Sequence, residues 1–128
     1  MKKIISTKNA PTAIGPYSQA VEIDNMLFVS GQIPINPNTG EIVEGGIKEQ
    51  TYQVLKNIEA IITSANYKLE DIVKCTCILS DLNNFSEMND VYTQFFKENP
   101  PARVTFEASK LPKNVLVEID AIAIKTFK

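Results

Sequence analysis

The run Val115-Leu116-Val117-Glu118-Ile119-Asp120-Ala121-Ile122-Ala123-Ile124-Lys125 predicts a β-strand that is buried on both faces. Side chains alternate across a strand, so one face would carry the odd-numbered residues of 115–123, all of them apolar. The even-numbered face is mostly apolar as well, and Glu118 and Asp120 are its charged members. A strand with two apolar faces requires a covering layer on each side of its sheet.

The remaining chain predicts five more strands and two helices. Extended segments bounded by Pro, Gly and Asn are predicted at residues 4–6, 20–23, 26–30, 72–79 and 103–108. Apolar residues that recur every three or four positions predict a helix over residues 47–65. A second helix should begin near Asn84, whose side chain forms a capping-box pattern with Glu87, and should end before Pro100-Pro101.

The predicted order is βββαβαββ in a single domain of residues 1–128, which places the chain in the α+β class. The two helices would lie on one face of a mixed sheet. Since one chain of this length has only two helices to offer, the other apolar face of residues 115–125 needs a different cover. A second copy of the chain is the economical cover, and we therefore expect a homo-oligomer.

The charge and composition of the chain exclude several classes of function. The net charge is −2 and the lysines are spread over the whole sequence, so no basic patch indicates nucleic-acid binding. No apolar run reaches the length of a signal-peptide core or a membrane span, so we expect a cytoplasmic protein without a membrane partner. The sequence contains no histidine, which excludes imidazole catalysis and Ser-His or Cys-His nucleophile pairs.

The two cysteines, Cys75 and Cys77, lie two residues apart in a predicted strand and would share one face. Their Cα atoms would be too far apart for an easy disulfide, so we expect buried, reduced thiols. With no histidine and no further cysteine, a metal site is not expected, and the sequence has no glycine-rich phosphate loop. Any chemistry must therefore rely on carboxylates, tyrosine, lysine, arginine, hydroxyls or the backbone.

Arg103 is the single arginine among thirteen basic residues. A guanidinium offers a rigid fork of donors that fits a carboxylate, so Arg103 is a candidate anion site; the alternative is a surface ion pair of little energetic value.

Burying the carboxylates of Glu118 and Asp120 on a doubly covered strand is costly unless they are ion-paired or hydrogen-bonded. For Asp120, the favoured interpretation is a structural role of this kind, in an ion pair or in hydrogen bonds at a subunit interface. Glu118 lies deeper in the apolar run and is the better candidate for catalysis. The last two strands could form a long-loop hairpin, which would bring Arg103 and Glu118 together or place them across a subunit interface.

Four segments resemble the RidA/YjgF family of reactive-intermediate deaminases: Gly15-Pro16-Tyr17-Ser18-Gln19-Ala20, Leu27-Phe28-Val29-Ser30-Gly31-Gln32-Ile33-Pro34, Pro100-Pro101-Ala102-Arg103 and Val117-Glu118-Ile119-Asp120-Ala121-Ile122-Ala123. The resemblance covers essentially the whole chain. It implies a chorismate-mutase-like α+β fold and a homotrimer around a central sheet barrel, with three ligand clefts between subunits. It also implies cofactor-independent hydrolysis of 2-imino acids, such as 2-iminobutanoate and 2-iminopropanoate, to 2-oxo acids and ammonia.

The resemblance also assigns roles to residues of this chain. Arg103 is expected to bind the substrate carboxylate, and Glu118 to orient and deprotonate the attacking water. Tyr17 is expected to position the substrate and to assist proton transfer. The other expected cleft residues are Ser30, Gly31, Asn89 and Thr105. Many members have cysteine at the position of Thr105; since that position acts through its backbone carbonyl in the family, threonine should be tolerated and no thiol sensitivity is expected there.

Two other functions are kept as alternatives. The cleft could bind 2-oxo acids or other small carboxylates without catalysis, as a regulatory module, and such a protein needs Arg103 but not Glu118. An endoribonuclease activity is sometimes ascribed to the family, but the acidic charge balance, dispersed lysines and absence of histidine disfavour it. Ammonia release from a freshly generated imine, measured beside ligand titration, separates an enzyme from a binding module.

Overall fold

A computed structural model describes residues 1–126 and confirms the order βββαβαββ; the last two residues of the predicted domain lie outside the described range. The elements are β1 (Lys3–Ile5), β2 (Ala20–Ile23), β3 (Met26–Gln32), α1 (Ile47–Ser64), β4 (Ile72–Leu79), α2 (Phe85–Phe95), β5 (Ala102–Glu107) and β6 (Val117–Ile124). Short 3₁₀ turns precede β4, α2 and β6. Neither helix in this part of the chain combines the length and the apolar character that crossing a bilayer requires.

The six strands form one mixed sheet in the order β1-β2-β3-β6-β4-β5. β4 and β5 are parallel, and the other neighbouring pairs are antiparallel. β6 therefore lies inside the sheet, between β3 and β4, as a strand with two apolar faces requires. The predicted α+β class, with both helices on one face of a mixed sheet, is confirmed.

The hairpin predicted for the last two strands is wrong. β4 separates β5 from β6, because β5 follows α2 in a β-α-β crossover and adds to the free side of β4 as a parallel strand. Arg103 on β5 aligns with Cys75 on β4, whereas Glu118 on β6 aligns with Ile78. The two predicted site residues consequently lie on different strands with a third strand between them.

One face of the sheet packs against the helices and forms the core. Along β6, Val117, Ile119 and Ala121 are each at most 1% exposed. The buried stripe of α1 contains Val54, Leu55, Ile58, Ile61 and Ile62. Because the helix repeats every 3.6 residues and the strand every two, these two predicted apolar faces meet in one core.

Cys75 and Cys77 also point into this core, and both are free, buried thiols, as predicted. Burial raises the pKa of Cys75 to about 11 and that of Cys77 to about 12. Both thiols are therefore protonated at neutral pH, and we assign them packing roles rather than nucleophilic ones.

The opposite face of the sheet, here called the open face, has no covering element within residues 1–126. Its apolar residues include Ile4, Phe28, Val104 and Phe106, whose exposed fractions lie between 39% and 53%. Strand register places Phe28 opposite Ile122, on the even-numbered face of β6. Several exposed apolar residues on one face of a sheet are typical of an interface with another protein chain.

The capping box predicted at the start of α2 is not formed. Asn84 directly precedes Phe85, but its side chain makes no capping hydrogen bond. A 3₁₀ turn comes before the helix instead, and Asp81 caps that turn by accepting from the backbone N–H of Asn83 at 2.9 Å. The capping side chain therefore lies earlier in the chain than predicted.

Candidate functional site

A cavity of about 440 Å³ opens beside the end of β3 and the start of β6, and we call it the Glu118 cavity. Its lining consists of Ile14, Tyr17, Ser30, Gly31, Ile33, Pro112 and Glu118. The cavity therefore brings together four of the residues predicted for the site. It places one carboxylate among walls that are largely apolar.

Gly31 allows the backbone of β3 to approach the Glu118 side chain closely. A Cβ atom at position 31 would lie 3.1 Å from Cδ of Glu118 and closer still to Oε2. A larger residue would therefore have to displace the carboxylate. The register between β3 and β6 also shifts between Val29 and Gln32, as at a β-bulge. The bulge and the glycine together form the wall against which Glu118 lies.

The Glu118 carboxyl is half-buried, and this burial raises its pKa above the ordinary glutamate value; the nearby charge of Asp120 raises the pKa further. Within residues 1–126, Glu118 forms no ion pair. Asp120, by contrast, accepts a hydrogen bond from the backbone N–H of Thr76 at 2.8 Å. The hydrogen-bonded role favoured for Asp120 is confirmed, and Glu118 is the carboxylate available for chemistry.

Tyr17 belongs to a tight loop that β3 holds in place. Its backbone N–H donates to the carbonyl of Gly15 at 2.8 Å, and its hydroxyl accepts from the backbone N–H of Ile14 at 3.4 Å. The Ser30 hydroxyl donates to the carbonyl of Ser18 at 2.6 Å. Ser30 thus fixes the loop beside the cavity, while the Tyr17 side chain stays accessible to a ligand.

Gln19 supports the site but was not identified from the sequence. It is 4% exposed, and its Nε2 donates to the carbonyls of Thr7 and Pro11 at 3.1 and 2.8 Å. Its Oε1 accepts from the backbone N–H of Thr7 at 2.7 Å. Gln19 therefore anchors the segment that leads into the Tyr17 loop. The available signal was a glutamine directly before an apolar strand, where a buried amide needs hydrogen-bond partners.

The second group of predicted residues surrounds Arg103 on β5, and we call it the Arg103 cluster. Nη1 of Arg103 donates to Oδ1 of Asn89 on α2 at 2.8 Å. The guanidinium carbon lies 4.7 Å from the ring centre of Tyr92 and 5.5 Å from that of Phe85. Within residues 1–126, no carboxylate pairs with this guanidinium, so the alternative of a surface ion pair is not supported. Its remaining donors can hold an anion.

Thr105 follows Arg103 on the same face of β5, the edge strand of the sheet. The backbone N–H of Ala108 donates to the carbonyl of Leu79, the last residue of β4, at 2.9 Å. Along a strand, the N–H and C=O groups of successive residues point alternately to the two sides, so this bond shows which residues of β5 face β4. Even-numbered residues direct these groups toward β4, and odd-numbered residues direct them outward. The N–H and C=O groups of Arg103 and Thr105 therefore face the free edge, where a ligand or another chain can bind them.

The Glu118 cavity and the Arg103 cluster lie on opposite faces of the sheet. Arg103 aligns with the core-facing Cys75 and contacts α2, whereas Glu118 alternates with the core residues of β6. Cys75 also aligns with Ala121 on β6, so Arg103 lies two strand spacings from β6, and Ala121 lies three residues along β6 from Glu118. These two separations place the Cα atoms of Arg103 and Glu118 about 14 Å apart. One chain thus presents two half-sites, and their meeting across a subunit interface stays a prediction.

Comparison with known proteins shows the family of the chain. A sequence model of the family described as Endoribonuclease L-PSP matches residues 7–125, and this is the RidA/YjgF family. The chain belongs to the RidA/YjgF family. The matched range contains both half-sites, and the family expected from the sequence is confirmed.

Two relatives and one solved structure show how closely the chain resembles other RidA/YjgF proteins. RutC family protein PH0854 of Pyrococcus horikoshii is 58% identical over 125 residues, which cover 98% of this chain and 99% of the relative. The human 2-iminobutanoate/2-iminopropanoate deaminase is 44% identical over 125 residues, which cover 98% of this chain and 91% of the relative. The crystal structure of E. coli TdcF with bound serine has a TM-score of 0.93 at 44% identity and covers 97% of this chain and 99% of that one.

Proposed function

We propose that the protein hydrolyses 2-imino acids, including 2-iminobutanoate and 2-iminopropanoate, to 2-oxo acids and ammonia without a cofactor. The site would combine the Glu118 cavity of one copy with the Arg103 cluster of a neighbouring copy. The observation that carries the proposal is this pair of half-sites: a carboxylate with a raised pKa in a cavity, and a guanidinium without a carboxylate partner within residues 1–126. The name of the human relative supports the choice of substrate.

Glu118 would act as the base. An imine carbon is already electrophilic, so hydrolysis needs mainly a positioned water and a group that removes its proton. Water adds to the imine carbon as Glu118 takes one of its protons, and transfer of a proton to the nitrogen gives a carbinolamine. The carbinolamine hydroxyl then loses its proton as the C=O bond forms and the C–N bond breaks; both protons of the water end on the departing ammonia, and Glu118 is again a carboxylate. The Tyr17 phenol, at the cavity wall, would help to deliver a proton to the departing nitrogen.

Arg103 would bind the substrate carboxylate through a two-pronged, charge-assisted pair of hydrogen bonds. The outward backbone groups of Thr105, beside it on the free edge, would add neutral hydrogen bonds to the same ligand. The related TdcF, crystallised with serine, supports a small amino acid-like ligand for this fold. Substrate bound in this way would present its imine carbon to the Glu118 cavity of the adjoining copy.

We propose a homotrimer as the assembly. Neighbouring copies would cover the open face, where Phe28 and Phe106 are 39% and 44% exposed in the single chain. A cyclic arrangement uses two different surfaces of each copy at every interface, so it can pair a Glu118 cavity with an Arg103 cluster three times. The sheets of the three copies would then form the central barrel implied by the family resemblance.

A coupled assay tests the proposed function. A threonine dehydratase generates 2-iminobutanoate in solution, and release of 2-oxobutanoate and ammonia is followed with and without the protein. We expect release faster than the spontaneous hydrolysis, in proportion to the concentration of the protein. A folded protein that binds 2-oxobutanoate but gives no acceleration would instead support the alternative of a non-catalytic carboxylate-binding module.

Gly31→Ala should displace the Glu118 carboxylate and lower kcat by about 10- to 100-fold, because small misplacement of a catalytic group has effects of that size. Imine hydrolysis in the coupled assay measures the change. Gly46→Ala is the matched control, since a Cβ there meets no atom closer than 3.9 Å. Equal kcat values for the two variants would show that the contact between Gly31 and Glu118 is unimportant for activity.

Asp120→Asn should shift the acid limb of the pH–rate profile to lower pH. A base acts only when ionised, so activity falls as the pH drops through the raised pKa of Glu118. Asparagine removes the negative charge that contributes to this raised pKa and keeps the oxygen that accepts from Thr76. The exposed Asp24→Asn is the control. A profile that moves to higher pH, or moves equally in both variants, would contradict the assignment of the limb to Glu118.

A further inference from the structure

We infer that Tyr92 and Asn89 are positioning residues that hold the guanidinium of Arg103 in one orientation before a ligand arrives. The predicted effect on substrate rests on the proposed function, whereas the effect on the arginine side chain does not. Tyr92 thereby has a role at the site, and Asn89 acts through Arg103 rather than by direct contact with the substrate.

The three side chains around the guanidinium come from one stripe of α2. Phe85, Asn89 and Tyr92 are spaced four and three residues apart, so they lie on the same face of the helix. All three contact Arg103, the rings at 5.5 and 4.7 Å from the guanidinium carbon and the amide at 2.8 Å. One helix face thus forms a cradle for one side chain of the neighbouring strand β5.

The ring of Tyr92 is the fixed part of this cradle. The residue is 6% exposed, and its ring packs against that of Phe96 with 4.7 Å between centres. The Tyr92 hydroxyl lies beside the thiol of Cys75 and has no nitrogen or oxygen partner within residues 1–126. The hydroxyl therefore makes no strong hydrogen bond, and the attraction between ring and cation remains as the contribution of Tyr92 to the site.

Asn89 restricts the rotation of the guanidinium through its hydrogen bond to Nη1. Guanidinium groups only donate hydrogen bonds, so the side-chain oxygen of Asn89 must face Arg103 and its NH₂ group must point elsewhere. The bond engages Nη1 and leaves the other donors of Arg103 for a ligand. An asparagine can do this without neutralising the cation, whereas an aspartate would form an ion pair and compete with a substrate carboxylate.

A cradle of this kind lowers the entropic cost of binding. A free arginine side chain populates many rotamers, and a ligand that fixes one of them loses affinity through the entropic cost. The cost is smaller when the side chain already holds that rotamer before the ligand binds. Loss of the cradle should therefore raise KM while kcat changes much less, because Glu118 lies in the other half-site.

Arginine side-chain NMR tests the inference directly, because the chain has a single arginine and therefore one Nε–H signal in a symmetric assembly. We expect an order parameter for Nε–H in the wild type that approaches the value of about 0.85 found for rigid backbone amides, and a fall toward about 0.6 or below in Tyr92→Leu and in Asn89→Leu. Tyr92→Phe keeps the ring and should keep the order. Tyr52→Leu is the matched control, since Tyr52 lies on the other helix, α1, and its ring packs against that of Phe95 on α2.

Kinetics supply the second measurement. Tyr92→Leu should raise KM for 2-iminobutanoate by about 3- to 30-fold, the range expected for a lost cation–π contact, with a much smaller change in kcat. Unchanged order of Nε–H in both Tyr92→Leu and Asn89→Leu overturns the inference. If Tyr92→Leu does not fold, Asn89→Leu alone decides. Loss of order in proteins that never hydrolyse imines supports the positioning roles and refutes the proposed function instead.

Discussion

Glu118→Gln is expected to remove most imine hydrolysis while the variant still binds 2-oxobutanoate. Glutamine has the same shape and can occupy the space beside Gly31, but it cannot accept the proton of the attacking water. General-base catalysis contributes about 10²- to 10⁴-fold, so kcat should fall by a factor in that range. Affinity should change little, because the carboxylate-binding Arg103 is untouched. The coupled assay and calorimetric titration with 2-oxobutanoate measure the two quantities.

Thermal unfolding provides a control for this variant. Burial raises the pKa of Glu118, so the fold disfavours its ionised form and loses nothing when a neutral amide replaces it. We therefore expect an unchanged or higher Tm at neutral pH. Glu44→Gln, at an exposed position, should retain wild-type kcat. Wild-type turnover by Glu118→Gln would remove Glu118 from the mechanism.

Arg103→Lys is expected to raise KM for 2-iminobutanoate by about 10- to 100-fold, which corresponds to the loss of one charge-assisted hydrogen bond. Lysine keeps the charge, but its ammonium cannot form the two-pronged pair with a carboxylate, and it lacks the planar guanidinium whose carbon lies 4.7 Å from the ring centre of Tyr92. The Kd of 2-oxobutanoate should rise by a similar factor, while kcat at saturation changes less.

The reverse exchange at a remote position tests whether Arg103→Lys acts locally. Lys97→Arg alters an exposed cation and should leave KM at its wild-type value. Near-wild-type KM and Kd in Arg103→Lys would mean that charge alone is sufficient, and the two-pronged carboxylate contact would have to be abandoned.

The main helix and the last strand were predicted well from the sequence because their apolar residues recur with the period of the element. β6 alternates apolar residues on two faces, and α1 repeats them every three or four positions, so both were located to within a few residues. Four residues of the Glu118 cavity, namely Tyr17, Ser30, Gly31 and Glu118, were predictable through the family resemblance because they occur in three of its motifs. Ile14, Ile33 and Pro112 were not predicted as site residues.

The neighbour of β5 was not predictable from local patterns. A strand after a helix can pair with the preceding strand in parallel or with the following strand as a hairpin, and the residues of β5 fit either position. The parallel choice sends Arg103 to the helix side of the sheet, away from Glu118. Gln19 and Tyr92 were missed for a related reason: their roles depend on partners that are distant in sequence, such as Thr7 and Arg103.

Complementation between two inactive variants tests most directly whether the site forms between copies. Arg103→Ala retains an intact Glu118 cavity, and Glu118→Gln retains an intact Arg103 cluster. At imine concentrations well below the wild-type KM, each variant alone should be nearly inactive. When equal amounts are unfolded, mixed and refolded, random cyclic assembly should pair the two intact half-sites in about one cleft of four.

The measurement is the rate of 2-iminobutanoate hydrolysis by these mixed assemblies, with different affinity tags on the two variants to confirm that they have combined. We predict about a quarter of the wild-type rate from the whole refolded mixture, and about a third from trimers that carry both tags, because each mixed trimer has one productive cleft of three. Mixed assemblies that contain both variants but hydrolyse no more imine than either variant alone would contradict a site shared between neighbouring copies.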